Sequence, residues 1–260
     1  MEGAPGHPLG GEDAIPRSDA FAEPTRLTGS MSHTILEATG LMKSFGSTHA
    51  LDGVDLRVAT GESLAIMGAS GSGKTTLLHV LAGITLPDAG HVSFERPNGR
   101  VDVAALAETE RSRLRRESFG FVFQSGLLIP ELTAVENVAL ALMLTGASRS
   151  EAERRGAEWL ATLGLAGLED RRIGQLSGGQ AQRVAIARAQ VTGASVIFAD
   201  EPTGALDSHT SAEVMTALLD STTGQGRTLV VVTHDSSVAH RCSRIVDMRD
   251  GRITGERVTS

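Results

Sequence analysis

Apolar residues recur along this chain in two alternating rhythms. From Ile35 onward, short runs of strand length alternate with segments of helical period. The strand-like runs are Ile35 to Leu41, Val54 to Val58, Leu64 to Met67, His91 to Phe94, Phe119 to Phe123, Val196 to Ala199, Leu229 to Val232 and Ile245 to Met248. An Asp250-Gly251 pair after the last run reads as a hairpin turn into Ile253. Helical periods cover 74–83, 134–144, 150–163, 180–190 and 209–220. The block from about 125 to 175 is helical throughout, whereas both flanks mix strands and helices. That arrangement predicts an α/β core with an inserted helical subdomain.

The first 30 residues contain Pro5, Pro8, Pro16 and Pro24, with five acids and no period of either kind. They read as a disordered tail, with a domain from 34 to 260 behind it. Met31 stands just before the first strand and is an alternative translation start. The tail lacks the basic start and apolar stretch of a secretory signal, so the expected location is cytoplasmic. The longest apolar run, Val138 to Leu144, is far short of the roughly 18 to 20 residues of a membrane-crossing helix. Membrane contact is therefore expected through a partner.

The 260 residues carry 24 basic and 31 acidic side chains, a net charge of -7, which disfavours duplex nucleic acid as the main ligand. Cys242 is the single cysteine, which excludes an intrachain disulfide or a four-cysteine zinc site and reads as a buried thiol in a reducing compartment. Arg111, Arg113, Arg115 and Arg116 lie among Glu108, Glu110 and Glu117 and read as a solvated helix face. The alternating Phe119, Phe121 and Phe123 read as core packing on one sheet face.

Chemistry first appears in Gly68-Ala69-Ser70-Gly71-Ser72-Gly73-Lys74-Thr75, followed by Thr76. A GxxxxGK[ST] loop after a strand and before an apolar helix is a phosphate cradle. Its glycines let backbone N–H groups turn toward phosphate oxygens, Lys74 supplies positive charge, and the helix N-terminus adds its own. Thr75 would offer its hydroxyl to Mg²⁺. The run Val196-Ile197-Phe198-Ala199 ends in Asp200-Glu201, two carboxylates at a strand end. Asp200 is expected to hold the magnesium. Glu201 is expected to polarise the water that attacks a γ-phosphate.

A phosphate loop alone leaves kinases, GTPases, helicases and transport ATPases open. Leu176-Ser177-Gly178-Gly179-Gln180 resembles the signature of the ABC ATPase family. The resemblance runs from about residue 34 to the C-terminus, with every element in order. Gln124 resembles the family's Q-loop glutamine, Ala205-Leu206-Asp207 its D-loop, and His234 in Val232-Thr233-His234-Asp235 its switch histidine. Phe45 stands where the family usually has a tyrosine that stacks on adenine, and a core role for Phe45 is the alternative. Ala181 departs mildly from the polar residue common there.

The resemblance implies a P-loop NTPase core of the ABC ATPase type, with an antiparallel β subdomain beside the inserted helical one. It implies ATP and Mg²⁺ as cofactors and Glu201, His234 and Gln124 as the catalytic set, Gln124 also reaching the metal. Ser177, Gly178, Gly179 and Gln180 would meet ATP held by a second subunit, so one chain carries two half-sites of a homodimeric ATP sandwich. The wording around Gln124 and Asp200 looks most like the lipoprotein-release and macrolide-export branch. That branch pairs with an integral-membrane permease of few helices, placing the cassette on the inner face of the membrane. An importer subunit and a soluble ABC ATPase are the competing readings. Only about 120 residues separate Lys74 from Glu201, without sustained heptads, which leaves no room for the long coiled coil of the repair members.

Overall fold

The computed structural model describes Met1, Gly3 and residues 33–259. Apart from Met1 and Gly3, the expected tail and the alternative start at Met31 lie outside the described residues. Among the described residues, ten strands form two sheets. The antiparallel sheet contains β1 (Thr34–Phe45), β2 (Thr48–Ala59), β4 (Ala89–Arg96) and β5 (Gly99–Asp102), in the order β2-β1-β4-β5. The second contains β3 (Ser63–Met67), β6 (Phe119–Phe123), β7 (Val196–Asp200), β8 (Thr228–Thr233), β9 (Arg244–Arg249) and β10 (Arg252–Val258). Its order is β10-β9-β3-β8-β7-β6, parallel except for β10, which returns antiparallel at the edge.

Side-chain alternation in the parallel sheet divides the core in two. Phe198, Val230 and Val232 face the antiparallel sheet and helix α1 (Lys74–Leu81), joining Leu36, Leu77 and Phe94. Their neighbours Ile197, Ala199, Leu229 and Val231 face the other way. There they meet α3 (Ala134–Met143), α4 (Arg149–Thr162), α5 (Gly178–Gln190) and α6 (Ser208–Thr222) through Val138, Leu160, Val184 and Val214. A strand buried on both faces must read as a continuous apolar run, which is why β7 and β8 do. Phe119 joins the two layers in edge-to-face contact with Phe94 at 4.8 Å and Phe198 at 5.3 Å between centroids. Phe121 stacks on Phe198, while Phe123 extends the row to a half-exposed position.

The helices between β6 and β7 have clear starts. Thr133 and Glu136 form a reciprocal capping box on α3, and Ser177 and Gln180 form one on α5. Trp159 on α4 lies 5.6 Å from the Arg227 guanidinium, on the connection into β8. The Asp250-Gly251 turn is present, with positive φ at both residues, 49° and 74°. Cys242 is buried, and burial pushes its thiol up to about 12.

The charged block is α2 (Glu108–Ser118), but it is not a wholly solvated face. Arg111 is buried and donates to the Leu106 carbonyl, and Arg115 donates to the Gly83 carbonyl. Main-chain acceptors in the adjacent loops draw these two side chains inward, a use that charge patterning does not reveal. Hydrogen bonds from Arg115, Arg111 and Ser112 push the Glu108 carboxyl down to about 2. A depressed carboxylate contributes fully above its ordinary value of 4.5 and loses that contribution as pH falls toward 2. Amide exchange in α2 should therefore accelerate over this window more than in the sheet core. Unchanged protection near pH ~3 would show that the arginine–carbonyl bonds hold the helix unaided.

Candidate nucleotide site

Four of the motifs follow the carboxyl ends of neighbouring parallel strands, and strand register brings them together. Met67, which precedes the phosphate loop, pairs with Thr233, which precedes His234. Asp200 pairs with Val232 on one side and Phe123 on the other, so Glu201 and Gln124 emerge beside them. In open parallel sheets this edge is where ligands bind. A cavity of about 640 Å³ opens there, bordered by Gly71, Gly73, Lys74, Thr75, Gln124, Glu201 and His234, among others. Ala69, Ser70 and Thr76 complete its phosphate-loop wall.

The loop is built around close backbone approach. A Cβ at Gly73 would lie 2.2 Å from the Ala50 carbonyl oxygen, and one at Gly68 would lie 2.3 Å from that of Met248. Gly73 also has φ 101°, a region that favours glycine. The hairpin turn after β9 braces the loop from behind, since the Gly251 N–H donates to the Ser72 carbonyl. Lys74 is buried at 7% exposure, with Nζ bonded to the Gly68 and Ala69 carbonyls at 2.8 and 2.9 Å. The buried Ser72 hydroxyl has no protein partner. An orphan hydroxyl, a buried ammonium and glycines without room for Cβ together fit an anionic phosphate group. We expect Gly73→Ala to weaken nucleotide affinity by about tenfold or more, because the loop must shift away from Ala50. Titration with a fluorescent ATP analogue checks this.

Glu201 has φ 47°, which is uncommon for a residue carrying a Cβ. Its N–H donates to the Val232 carbonyl at 2.9 Å, which holds that backbone in place. One carboxylate oxygen lies 2.9 Å from His234 Nδ1, and the other accepts from the Thr233 hydroxyl at 3.3 Å. Local strain of this kind places the carboxylate at the cavity wall. Thr75 Oγ1 donates to Asp200 Oδ1 at 3.2 Å. Burial holds the Asp200 carboxyl above the usual range, with the Thr75 hydroxyl opposing the shift. The hydroxyl of Thr75, the carboxylate of Asp200 and the amide oxygen of Gln124 are hard oxygen donors whose chemistry would suit magnesium.

The remaining predicted residues lie elsewhere. Phe45 does not border the cavity; the residue is 56% exposed, which rules out the core alternative, and Lys43 Nζ sits 5.5 Å from its ring centroid. Ser177, Gly178, Gly179 and Gln180 form the first turn of α5 and do not line the cavity of their own chain. Asp207 caps α6, bonded to the His209 and Thr210 N–H groups. A Cβ at Gly179 would meet Thr210 at 2.4 Å, so signature and Asp207 segments pack tightly together. Two cavity residues escaped sequence reasoning, Thr48 and Ala50 on β2. Their signal was only that they follow the Phe45-Gly46 turn closely enough to return to the phosphate loop.

Residues 51–204 match the family model described as ABC transporter. The chain belongs to the ABC transporter family. It is 46% identical over 235 residues to the pyoverdine export ATP-binding/permease protein PvdT of Pseudomonas fluorescens, covering 88% of this chain and 35% of that protein. It is 45% identical over 234 residues to the macrolide export ATP-binding/permease protein MacB of Rhodopseudomonas palustris, again covering 88% and 35%. The chain thus spans about a third of the length of these curated relatives. Among solved structures, the ATP-binding cassette MJ0796, as a post-hydrolysis dimer bound to ADP and Pi, superposes with a TM-score of 0.77 at 38% identity. That match covers 87% of this chain and 99% of the other. The fold is therefore that of an ABC ATPase cassette, which binds nucleotide.

Proposed function

We propose that this cassette binds ATP with Mg²⁺, closes as a homodimer and drives a membrane permease that exports its substrate. The observation that carries the reading is the convergence of Lys74, Glu201, His234 and Gln124 on one cavity at the sheet edge. Lys74 and the phosphate-loop N–H groups bind and orient the phosphates. Thr75, Asp200 and Gln124 would hold Mg²⁺, which supplies charge neutralisation at the phosphates. Glu201 accepts a hydrogen bond from the attacking water and orients it, and His234 fixes the Glu201 carboxylate through their 2.9 Å contact.

The signature residues Ser177, Gly178 and Gly179 stand outside the cavity of their own chain and contribute across the dimer, where a helix N-terminus suits a phosphate. The dimeric MJ0796 cassette supports this arrangement. Asp207 belongs to the same face, through its packing with α5. Phe45, exposed and outside the phosphate cavity, stacks on an adenine that projects beyond it, its ring retaining the π-face that tyrosine would offer.

The apolar residues after Gln124 support the permease contact. Leu127 and Leu144 are about 60% exposed, and with Phe121 and Phe123 they border a groove of about 310 Å³. Among the described residues no helix is long and apolar enough to cross a membrane. In this reading the permease holds the cassette at the cytoplasmic face of the membrane. The names of PvdT and MacB favour export over import.

The reading is tested by capture of Glu201→Gln protein with ATP and Mg²⁺ from detergent-solubilised native membranes. Recovery of an integral-membrane permease is the expected result, and its domain content separates exporter from importer. Recovery of ribosomes or nucleic-acid factors would overturn the transport assignment and leave the ATP chemistry intact.

A further inference from the structure

The turn that follows Gln124 has an uncommon conformation, closed by a backbone bond from the Gly126 N–H to the Phe123 carbonyl at 2.9 Å and fastened to side chains of the signature helix. Gly126 and Leu127 both have positive φ, 69° and 46°. The left-handed region costs little for glycine, but for leucine it sets Cβ against the following carbonyl. The leucine side chain does not offset this by burial, since it is 59% exposed. The carbonyls of the two positive-φ residues are both held by Arg188 on α5, whose Nη2 donates to the Gly126 carbonyl at 2.6 Å and Nη1 to the Leu127 carbonyl at 2.7 Å. Gln182, one and a half turns earlier on α5, adds a bond from Nε2 to the Phe123 carbonyl at 2.9 Å. Gln124 therefore lies within a segment whose main-chain carbonyls on both sides are fastened to the helix that Ser177 caps.

Arg188 has no carboxylate partner among the described residues. Its guanidinium fork meets two consecutive carbonyls that a single-point ammonium would not hold together. Burial lowers the Arg188 pKa, so the charge is kept there at some cost in solvation.

We infer that Arg188 is a positioning residue, which fixes the Gly126–Leu127 turn and so makes Gln124 follow the signature helix. The inference rests on the proposed role of Gln124 in hydrolysis. It links two events at opposite ends of α5. A phosphate meeting the Ser177 end of the helix and the placement of Gln124 become parts of one body, joined by three side-chain-to-carbonyl bonds.

The test is steady-state ATP hydrolysis by the full chain, compared across Arg188→Ala, Arg188→Lys, Leu127→Asn, the double variant Arg188→Ala/Leu127→Asn, and Gln124→Ala as a reference. Asparagine is chosen because it adopts the left-handed region readily. Arg188→Ala should lower kcat by about tenfold while KM for ATP stays within about twofold, as expected when a group is misplaced and the phosphate cradle is untouched. Arg188→Lys should be intermediate, and it substitutes for the alanine variant if that variant does not fold. Leu127→Asn in the alanine background should recover most of kcat without raising the melting temperature lost with the arginine. A merely structural arginine would give the opposite result, with activity following stability and no repair from residue 127. Parental kcat in both Arg188 variants, with Gln124→Ala impaired, would overturn the inference alone. Parental kcat in Gln124→Ala would overturn the role of Gln124 and the inference with it.

Discussion

Glu201→Gln is expected to bind ATP with near-parental affinity and to hydrolyse it about 10² to 10⁴ times more slowly, the range for loss of a positioned acid–base group. The substitution keeps size and hydrogen-bonding atoms but removes the charge that Glu201 directs at the cavity. His234 Nδ1 still finds an amide oxygen at the position where the carboxylate oxygen stood, 2.9 Å away. The unusual φ of 47° is enforced by the backbone bond to Val232, which the variant retains. Geometry should therefore survive while chemistry fails, and the ATP-bound dimer should accumulate. Single-turnover hydrolysis and size-exclusion chromatography with ATP check the two halves. A parental single-turnover rate would exclude Glu201 as the group that polarises water.

Lys74→Ala is expected to act one step earlier, weakening ATP binding by about tenfold to a hundredfold, the scale of a lost charge-assisted hydrogen bond. Its ammonium now bonds the Gly68 and Ala69 carbonyls, so the substitution orphans both acceptors besides removing the charge proposed to meet phosphate. The loop should also become less ordered when empty. Equilibrium binding with a fluorescent ATP analogue measures the effect. Unchanged affinity would mean that N–H groups and the helix end hold the phosphates without it. The contrast between the variants is diagnostic: Glu201→Gln separates binding from hydrolysis, and Lys74→Ala weakens binding itself.

The parts of this site legible in sequence are those in which chemistry and position are encoded locally. Asp200 and Glu201 end an apolar run that can only be a buried strand, and Lys74 opens a helix directly after a glycine-rich loop, so each motif carries its own placement. Parallel register then does the assembly. The strands of the antiparallel sheet were read too short because β1 and β2 continue through polar residues around the Phe45-Gly46 turn, held by pairing and not by burial. That extension carries Thr48 and Ala50 to the cavity. β5 has four residues, two exposed and two half-buried, without apolar alternation, and left no trace in the pattern. The inward arginines of α2, and Arg188, were illegible for a related reason. Arg115 and Arg188 bond main-chain carbonyls of distant segments and Arg111 one just before its own helix, and a carbonyl carries no residue identity that a sequence pattern can record.

The contact between Trp159 and Arg227 gives this cassette a built-in optical probe. The chain has one tryptophan and no tyrosine. Ultraviolet emission therefore comes from one indole at the seam between α4 and the strand entry that leads to His234. A nearby guanidinium shapes the field at that indole, so its emission wavelength reports on the separation of the two elements. Titration with nucleotide can thus test in unlabelled protein whether the helical block moves, with the signal assigned to a single joint before any substitution is made.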